Sequence, residues 1–329
     1  MSLTDKDELN DLIWGDSEPL DKKGRIFLYG IKDRVNESLD YLKSKYSKIT
    51  DLNLAIKFIT YYHSEAVMAD IEGLSRIGYF PATEVEMEFD HSIKHALIGS
   101  YKSAFSDLRR AIELTLISVF LTSDQCDRKK AIDWVFSRSD TPQFSRSLEK
   151  LIKIGRYKDL NDHHNWKDNL QHLYWELSDY CHTKGQLKSY RELNNPRFFA
   201  GGSQFPSINF ETLEVFSDLY IKTVGEIVVM QALCNPMILV GVSFDKKFGL
   251  NGPASGFFDD SQAELVHMLI PQTYKNFFTD MAKNDQDIKN VIEYFDSLPD
   301  LTKEEFEKQV KDFEEENKIN QEPFCNSEV

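Results

Sequence analysis

The chain has 329 residues, of which 41% are hydrophobic and 28% charged, and a formal net charge of −15 at pH 7. A chain of this length and apolar content can bury a large core, which excludes a protein that is disordered throughout. A net negative field repels phosphate, so the composition also excludes non-specific coating of nucleic acid. The N-terminus has no charged segment followed by an apolar run, and we therefore expect a cytoplasmic protein without a secretory signal.

Apolar residues recur every three or four positions along most of the chain, which is the spacing of helices that bury one face. The first such segments are KDRVNESLDYLKSKY and LNLAIKFITYYHSEAVMADIEGLSRIG, and we expect Gly78 and Pro81 to end the second helix. The segment ALIGSYKSAFSDLRRAIELTLISVFL follows and predicts a third helix. Its predicted core residues are Leu108, Ile112, Leu116 and Val119.

Four further helices are predicted downstream of that segment. They run from Lys129 to Ser137, from Ser145 to Ile154, from about Trp166 to His182 and from about Phe210 to Leu233. The most apolar run, from Ile227 to Phe244, contains Pro236, so we expect a buried helix followed by a strand or loop rather than a membrane span. Stretches rich in Gly and Pro, NNPRFFAGGSQFPSIN and FDKKFGLNGPASGFFDD, predict irregular segments on either side of the long helix.

Charge is distributed unevenly along the chain. Residues 128–197 contain 14 Lys and Arg against 9 Asp and Glu, whereas residues 259–329 contain 7 against 18. The acidic end predicts a solvated helix followed by a frayed tail. The middle segment is the candidate for contact with RNA or a nucleotide, because the negative charge of the rest of the chain repels phosphate.

Several common kinds of site are excluded by the absence of their motifs. The cysteines at positions 126, 181, 234 and 325 include no C-x-x-C pair, which excludes a zinc knuckle or redox motif and predicts reduced, buried thiols. The sequence also lacks a phosphate-binding G-x-x-x-x-G-K-[ST] loop, an H-E-x-x-H helix and a G-x-S-x-G elbow. We therefore expect neither ATPase, metalloprotease nor hydrolase activity of those types, and no cofactor.

The segment DHHNWKDNLQHLYWELSDYCH holds four of the eight histidines and draws attention to the helix from Trp166 to His182. A helical wheel gives this helix one apolar face and one polar face, the latter comprising Asp168, His172, Trp175, Glu176, Asp179 and His182. The polar face is a solvated surface, a metal site or an acid–base site centred on His182. One metal ion cannot bind both His172 and His182, which lie about 15 Å apart along the axis, and no metal is predicted.

Two segments, IGSYKSAFSDLRRAIEL and LYWELSDYCHTKG, resemble the HEPN superfamily of small helical bundles. In that superfamily an early helix carries a Gly, an aromatic residue, an Ala and an Arg–Glu pair at comparable spacing, and a late helix ends in a polar residue followed by His. Many members are metal-independent RNA endonucleases. In these, an Arg separated from the His by four to six intervening residues steadies phosphate, and the His handles the proton of the attacking 2′-hydroxyl.

Carried onto this chain, the resemblance makes His182 the candidate catalytic residue, with Asp179 and Glu176 beside it. The positions of the Arg are occupied by Trp175, Glu176 and Leu177, so the signature is broken, and a carboxylate there repels phosphate. At the end of its helix His182 is expected to favour its charged form, which suits phosphate contact better than general-base chemistry. The resemblance therefore implies a non-catalytic member, of the kind that acts as a binding module in phage-defence or toxin systems.

The predicted fold class is all-α, an HEPN-like helical bundle with additional N-terminal helices and an acidic helical C-terminal extension. The predicted parts are an N-terminal helical segment at residues 1–50, the HEPN-like bundle at 51–240 and an acidic, mostly helical part at 241–329.

The candidate binding residues are basic residues near these motifs: Arg109, Arg110, His172, Lys184, Lys188 and Arg191. Arg109 and Arg110 either pair with Glu113 along the helix surface or, if the bundle brings them beside His182, replace the missing Arg in space. Lys188, Arg191 and Arg197, which follow His182, are interleaved with Tyr190, Phe198 and Phe199, which suits single-stranded RNA. The alternative is a loop whose aromatic rings enter the core.

Three functions from different classes remain after these arguments. They are a non-catalytic helical interaction module associated with RNA or a nucleotide, a metal-independent RNA endonuclease centred on His182, and a structural or oligomeric scaffold. We favour the first because the endonuclease signature is broken. The expected partners are RNA or a nucleotide through residues 128–197, another protein or a second copy of the chain, and no membrane.

Overall fold

The structure is a computed structural model that describes residues 20–46, 49–69, 75–123, 125–181, 208, 210–243, 245–251 and 257–321. Within those ranges the regular secondary structure is helical, apart from one isolated bridge between Gly241 and Phe258. The predicted all-α class is therefore confirmed.

The helices of the N-terminal two thirds are α1 (Leu20–Lys45), α2 (Ile49–Ala69), α3 (Ser75–Leu97), α4 (Tyr101–Leu121), α5 (Arg128–Val135), α6 (Phe144–Leu151), α7 (Gly155–His164), α8 (Trp166–Cys181) and α9 (Phe210–Cys234). They are followed by α10 (Asp245–Phe248), α11 (Asp260–Leu269), α12 (Lys275–Asn284), α13 (Gln286–Ser297) and α14 (Lys303–Gln321). Short 3₁₀ turns lie at Pro236–Leu239, Gly249–Asn251 and Gln272–Tyr274.

Helix α4 confirms the periodicity argument most directly. Its predicted core residues Leu108, Ile112 and Leu116 are completely buried, and Val119 is 1% exposed. The apolar spacing therefore identified the face that packs. Aspartate side chains begin several other helices by accepting backbone N–H groups, as Asp127 does at α5 and Asp259 at α11.

The expectation that Gly78 and Pro81 end a helix is wrong. The structure describes the preceding helix as far as Ala69, and both Gly78 and Pro81 lie inside α3. The reason is a contact with α4: a Cβ on Gly78 would lie 2.7 Å from the Ser118 carbonyl oxygen, and the Ser118 hydroxyl donates to the Gly78 carbonyl at 2.8 Å. Gly78 thus allows close approach of two helices, and that packing helps to retain a helix in which Pro81 lacks an N–H.

A helix that the sequence patterns did not predict, α7, lies just before α8, the helix that carries His172. It ends at Asn165, whose φ of 50° and ψ of 39° place it in the left-handed region. Asn accepts that conformation more readily than most residues, which lets the chain turn directly into α8. His163 and His164 consequently belong to α7 and not to the helix that carries His172.

The chain folds into two compact units, which we call unit 1 and unit 2. Unit 1 comprises residues 1–53, 87–110 and 173–221, and unit 2 comprises residues 54–86, 111–172 and 222–329. The divisions fall inside α2, α3, α4, α8 and α9. The sequence-based divisions at 50/51 and 240/241 remain predictions.

Each unit has an aromatic core of its own. In unit 1 the rings of Phe105 and Phe216 lie 6.0 Å apart, and Phe216 contacts Tyr220 at 5.9 Å. In unit 2 the ring of Tyr157 lies 5.9 Å from Trp166, which is completely buried. Of the helices that the structure describes, none is both long and apolar enough to cross a bilayer.

Candidate functional site

The C-terminal end of α8 lies beside the N-terminal half of α4 in unit 1. The Tyr180 ring stacks on Phe105 with 4.4 Å between ring centres. Arg109 Nη2 donates to the Tyr174 hydroxyl at 2.6 Å, and its guanidinium carbon lies 4.9 Å from the centre of the same ring. Burial raises the pKa of the Cys181 thiol, while Arg109, Ser106 and Arg110 of α4 act in the opposite direction. The two segments that carry the HEPN resemblance therefore contact each other. The second segment is described as far as Cys181.

Arg110 of α4 is held by two carboxylates. Its Nε and Nη2 donate to the two oxygens of Glu88 at 3.0 and 2.7 Å, a bidentate pair, and Nη2 also contacts Asp107. The hydrogen bonds to Glu88 are the main reason that the pKa of Arg110 is raised. The guanidinium of Arg110 is therefore already engaged on the face where a phosphate would need it.

His95, at the end of α3, completes this cluster of Glu88, His95, Asp107 and Arg110, which we call the α3–α4 cluster. Its Nδ1 lies 2.6 Å from Asp107 Oδ2, and the side chains of His95 and Asp107 are 38% and 2% exposed. Because a carboxylate only accepts hydrogen bonds, Nδ1 is the donor and Nε2 is left to face other partners. A His held in this way can exchange protons or contact an anion through Nε2.

The role of His95 was not predicted from the sequence, because His95 and Asp107 are separated by the turn between α3 and α4. Gly99 has a φ of 83° there, and the Ser100 amide donates to the His95 carbonyl at 2.8 Å. That turn folds the two helix ends together. The signal in the sequence was the short Gly–Ser break between two amphipathic helices, with charged residues on both sides.

The described part of α8 follows the predicted wheel. Leu170 and Leu177 are completely buried, whereas His172, Trp175 and Glu176 are exposed, Trp175 at 48%. Asp179, the second candidate acid, is half-buried. The structure thus places Arg109 beside Cys181 and leaves Glu176 in solvent.

The remaining candidates lie outside the residues that the structure describes. They are His182, Lys184, Lys188 and Arg191. Their proposed roles stay predictions. Among the side chains that the structure does describe, no group of three or more His, Cys, Asp or Glu residues is placed to hold a metal ion.

A basic surface, which we call the surface around Cys126, is formed in unit 2 by exposed Lys and Arg residues of α5, α6 and the connections after them, within the segment whose composition predicted contact with RNA. Burial raises the pKa of Cys126, and Lys150 of α6 and Lys130 of α5 oppose that shift because both lie close to the thiol. The guanidinium carbon of Arg138 lies 5.1 Å from the ring centre of Phe136, which is 62% exposed. Cations beside an exposed ring can neutralise phosphate and stack on a base.

Comparisons of this chain with family models, with curated proteins and with solved structures found no match.

Proposed function

We propose that this protein is a non-catalytic helical interaction module that associates with RNA or a nucleotide. The observation that carries the proposal is the engagement of both α4 arginines. Arg110 bonds to Glu88 and Asp107, and Arg109 bonds to Tyr174. A phosphate entering this site would have to compete with two carboxylates for the cation that should hold it.

The charge around the end of α8 supports the same conclusion. Glu88 and Asp107 offset the charges of Arg109 and Arg110, and Glu176 stands exposed at a position where the HEPN endonucleases carry Arg. A site that cleaves RNA must stabilise additional negative charge in its transition state. The described residues supply no surplus of positive charge for that purpose here.

The basic surface around Cys126 is the better place for an RNA or nucleotide contact. Lys129, Lys130, Arg138, Lys150 and Lys153 are exposed there, in helices α5 and α6 and their connections. Binding by such a surface depends on phosphate neutralisation and therefore weakens as salt rises.

A binding assay tests this proposal directly. We expect mixed single-stranded RNA, incubated with the protein without metal, to bind and to remain intact. Replacing Lys130 and Lys150 together by Ala should weaken binding about tenfold and reduce the salt dependence, because two phosphate contacts are lost. The matched control is the double variant Lys283→Ala and Lys303→Ala, which removes the same charge from exposed positions of α12 and α14. Equal losses in the two double variants would show that overall charge and not the local surface governs binding.

The second candidate function is a metal-independent RNA endonuclease centred on His182. It is favoured by the position of Arg109 next to Cys181, the residue that precedes His182 in the sequence. Cleavage of the same RNA that disappears in both His182→Ala and Arg109→Ala would overturn the non-catalytic proposal. Intact RNA with wild-type protein, under conditions in which it binds, would count against the enzyme.

A further inference from the structure

A pocket between helices α2 and α3 of unit 2 is separate from both surfaces described above. It encloses about 290 Å³, its open mouth included. Its polar lining consists of Thr60, Tyr61 and Ser64 from α2 and Tyr79, Thr83 and Glu86 from α3. We propose that this pocket binds an alkylammonium group, supplied by a small free amine or by a lysine side chain of another protein.

Two hydroxyl groups of the pocket, those of Ser64 and Thr83, are oriented to accept hydrogen bonds from a ligand, whereas Thr60 Oγ1 accepts from Gln231 Nε2 at 3.2 Å and keeps its own proton. Ser64 Oγ donates its proton to the Tyr61 carbonyl at 2.7 Å, and Thr83 Oγ1 donates to the Phe80 carbonyl at 2.9 Å. Once those protons are used within the helices, each oxygen has lone pairs left and no proton to offer. A ligand that contacts Ser64 or Thr83 must therefore bring donors.

The charge and the rings of the pocket favour a cation among the possible donors. Glu86 is the charged side chain of the lining, and Tyr61 and Tyr79 contribute aromatic rings. A carboxylate attracts an ammonium ion directly, and the electron-rich face of a tyrosine ring adds to that attraction. The net charge of −15 raises the local concentration of cations further.

Lys57 provides an internal precedent for this occupant. Its Nζ lies 3.4 Å from Glu86 Oε1, with the two side chains 25% and 40% exposed. The carboxylate at the pocket thus already accepts a primary ammonium group in the folded protein. An incoming ammonium would share or replace this contact, so Lys57 and the ligand compete for the same oxygen atoms.

This competition predicts effects of opposite sign at two neighbouring positions. Glu86→Gln keeps the shape of the side chain but removes its charge, and should weaken binding of butylammonium about fivefold or more. Lys57→Met keeps the apolar stem but removes the competing charge, and should strengthen binding about threefold. A purely steric pocket would respond to neither change.

A matched pair of variants at Tyr61 tests how much the aromatic ring contributes to binding. Tyr61 is 53% exposed, so its replacement leaves the core intact. Tyr61→Phe keeps the ring and should bind butylammonium within about twofold of wild type, whereas Tyr61→Leu should lose about threefold.

The experiment is a ligand-observed NMR titration of the full chain with butylammonium, with butan-1-ol as the neutral match of nearly equal size. We expect a dissociation constant on the order of 1 mM for butylammonium and no saturable binding of butan-1-ol. Circular dichroism of each variant at the titration temperature checks that the helices are retained. Equal binding of the two probes, or unchanged affinity in Glu86→Gln, would overturn the proposal.

Two further probes distinguish the source of the ammonium group. Putrescine represents a free diamine, and a short peptide with one lysine represents a protein partner. Tighter binding of putrescine assigns the pocket to a small amine, and tighter binding of the peptide assigns it to a lysine side chain. Failure of both probes to displace butylammonium would overturn the proposal. The pocket shares no residue with the basic surface that carries Lys130 and Lys150. A negative result for amine binding would therefore leave the proposed RNA binding untouched.

Discussion

Two buried ionisable side chains of unit 2, Glu226 and His63, differ in how their polar atoms are satisfied. Glu226 accepts hydrogen bonds from Trp166 Nε1 at 2.9 Å and from the Tyr274 hydroxyl at 3.3 Å. Both ring nitrogens of His63 are buried without a hydrogen-bond partner in the part of the chain that the structure describes. Burial raises the pKa of Glu226 to about 7 and lowers the pKa of His63 to about 4. Burial thus favours the neutral form of both groups, and the two donors oppose it only for Glu226.

The two shifts change stability with pH in opposite directions. Folded His63 has a pKa of about 4 against 6.5 for the free side chain, so its contribution is present above pH 6.5 and is lost as the pH falls through 4. Folded Glu226 has a pKa of about 7 against 4.5, so its contribution is present below pH 4.5 and is lost as the pH rises through 7. Between pH 4.5 and 6.5, the stability that His63 restores as the pH rises is largely offset by the stability that Glu226 loses. The two groups together therefore change the free energy of unfolding of the wild-type protein little across that range.

The largest effect should come from removing the closest donor to Glu226. Trp166→Ala leaves a cavity at a completely buried site and deprives the carboxyl group of its 2.9 Å hydrogen bond. We expect a loss of about 3–5 kcal/mol in the free energy of unfolding, measured with urea at pH 7. Trp175→Ala, at a position 48% exposed, is the control and should change that free energy by less than about 1 kcal/mol. Equal losses of unfolding free energy in the two tryptophan variants would contradict the assignment of Trp166 as a buried donor to Glu226.

Replacing Glu226 by Gln should leave the pH dependence that His63 gives to stability without its opposing contribution. Gln still offers Trp166 a carbonyl acceptor but does not ionise. Relative to wild type, the variant should gain up to about 3 kcal/mol in free energy of unfolding as the pH rises from 4.5 to 7. Urea titrations across that range measure it. Parallel pH profiles for wild type and variant would show that Glu226 does not titrate there.

Replacing His63 by Leu should produce the complementary profile. An apolar side chain of similar size removes two buried polar atoms that have no partners, so we expect little loss of stability at pH 7. As the pH falls from 6.5 to 4, the variant should become more stable than wild type by up to about 3 kcal/mol. The double variant His63→Leu and Glu226→Gln is the control, because the contributions of both groups are then absent. A double variant that keeps a steep profile from pH 4 to 7 would assign the pH dependence to other residues.

The smallest effect should come from the weaker donor. Tyr274→Phe removes the 3.3 Å hydrogen bond to Glu226 and the acceptor of Asn169 Nδ2, which lies 2.9 Å from the Tyr274 hydroxyl. We expect a loss of about 1 kcal/mol and a further rise in the pKa of Glu226. The measurements are urea unfolding at pH 6 and the midpoint of the pH profile. Tyr294→Phe, at a position 61% exposed, should leave both unchanged.

The sequence predicted those features that one helix determines by itself. The buried face of α4 follows from apolar spacing alone, because each helix of this kind must bury one stripe. It did not predict features that depend on a second helix. Gly78 and Pro81 are helix-breaking locally, but the contact with Ser118 overrides that tendency.

The polar contacts between helices within each unit could not be predicted from the sequence for the same reason. His95 meets Asp107 only because the turn at Gly99 folds α3 onto α4, and no pattern in either helix alone records the pairing. Glu226 left a clearer signal, since it is a carboxylate that directly precedes the apolar run from Ile227 in α9. Such a residue predicts a buried partner without identifying Trp166. The roles of His182 and the cations after it remain predictions, because those residues lie outside the described ranges.

The division of the chain into units assembled from separate segments has a consequence for synthesis on the ribosome. The ring of Phe105 contacts Phe216, so this part of the unit 1 core cannot close until α9 has emerged. At about 5–20 residues per second, the apolar face of α4 waits roughly ten seconds for that partner. We therefore expect nascent α4 to present an exposed apolar segment to chaperones, and a slowed ribosome between α5 and α9 to prolong that exposure.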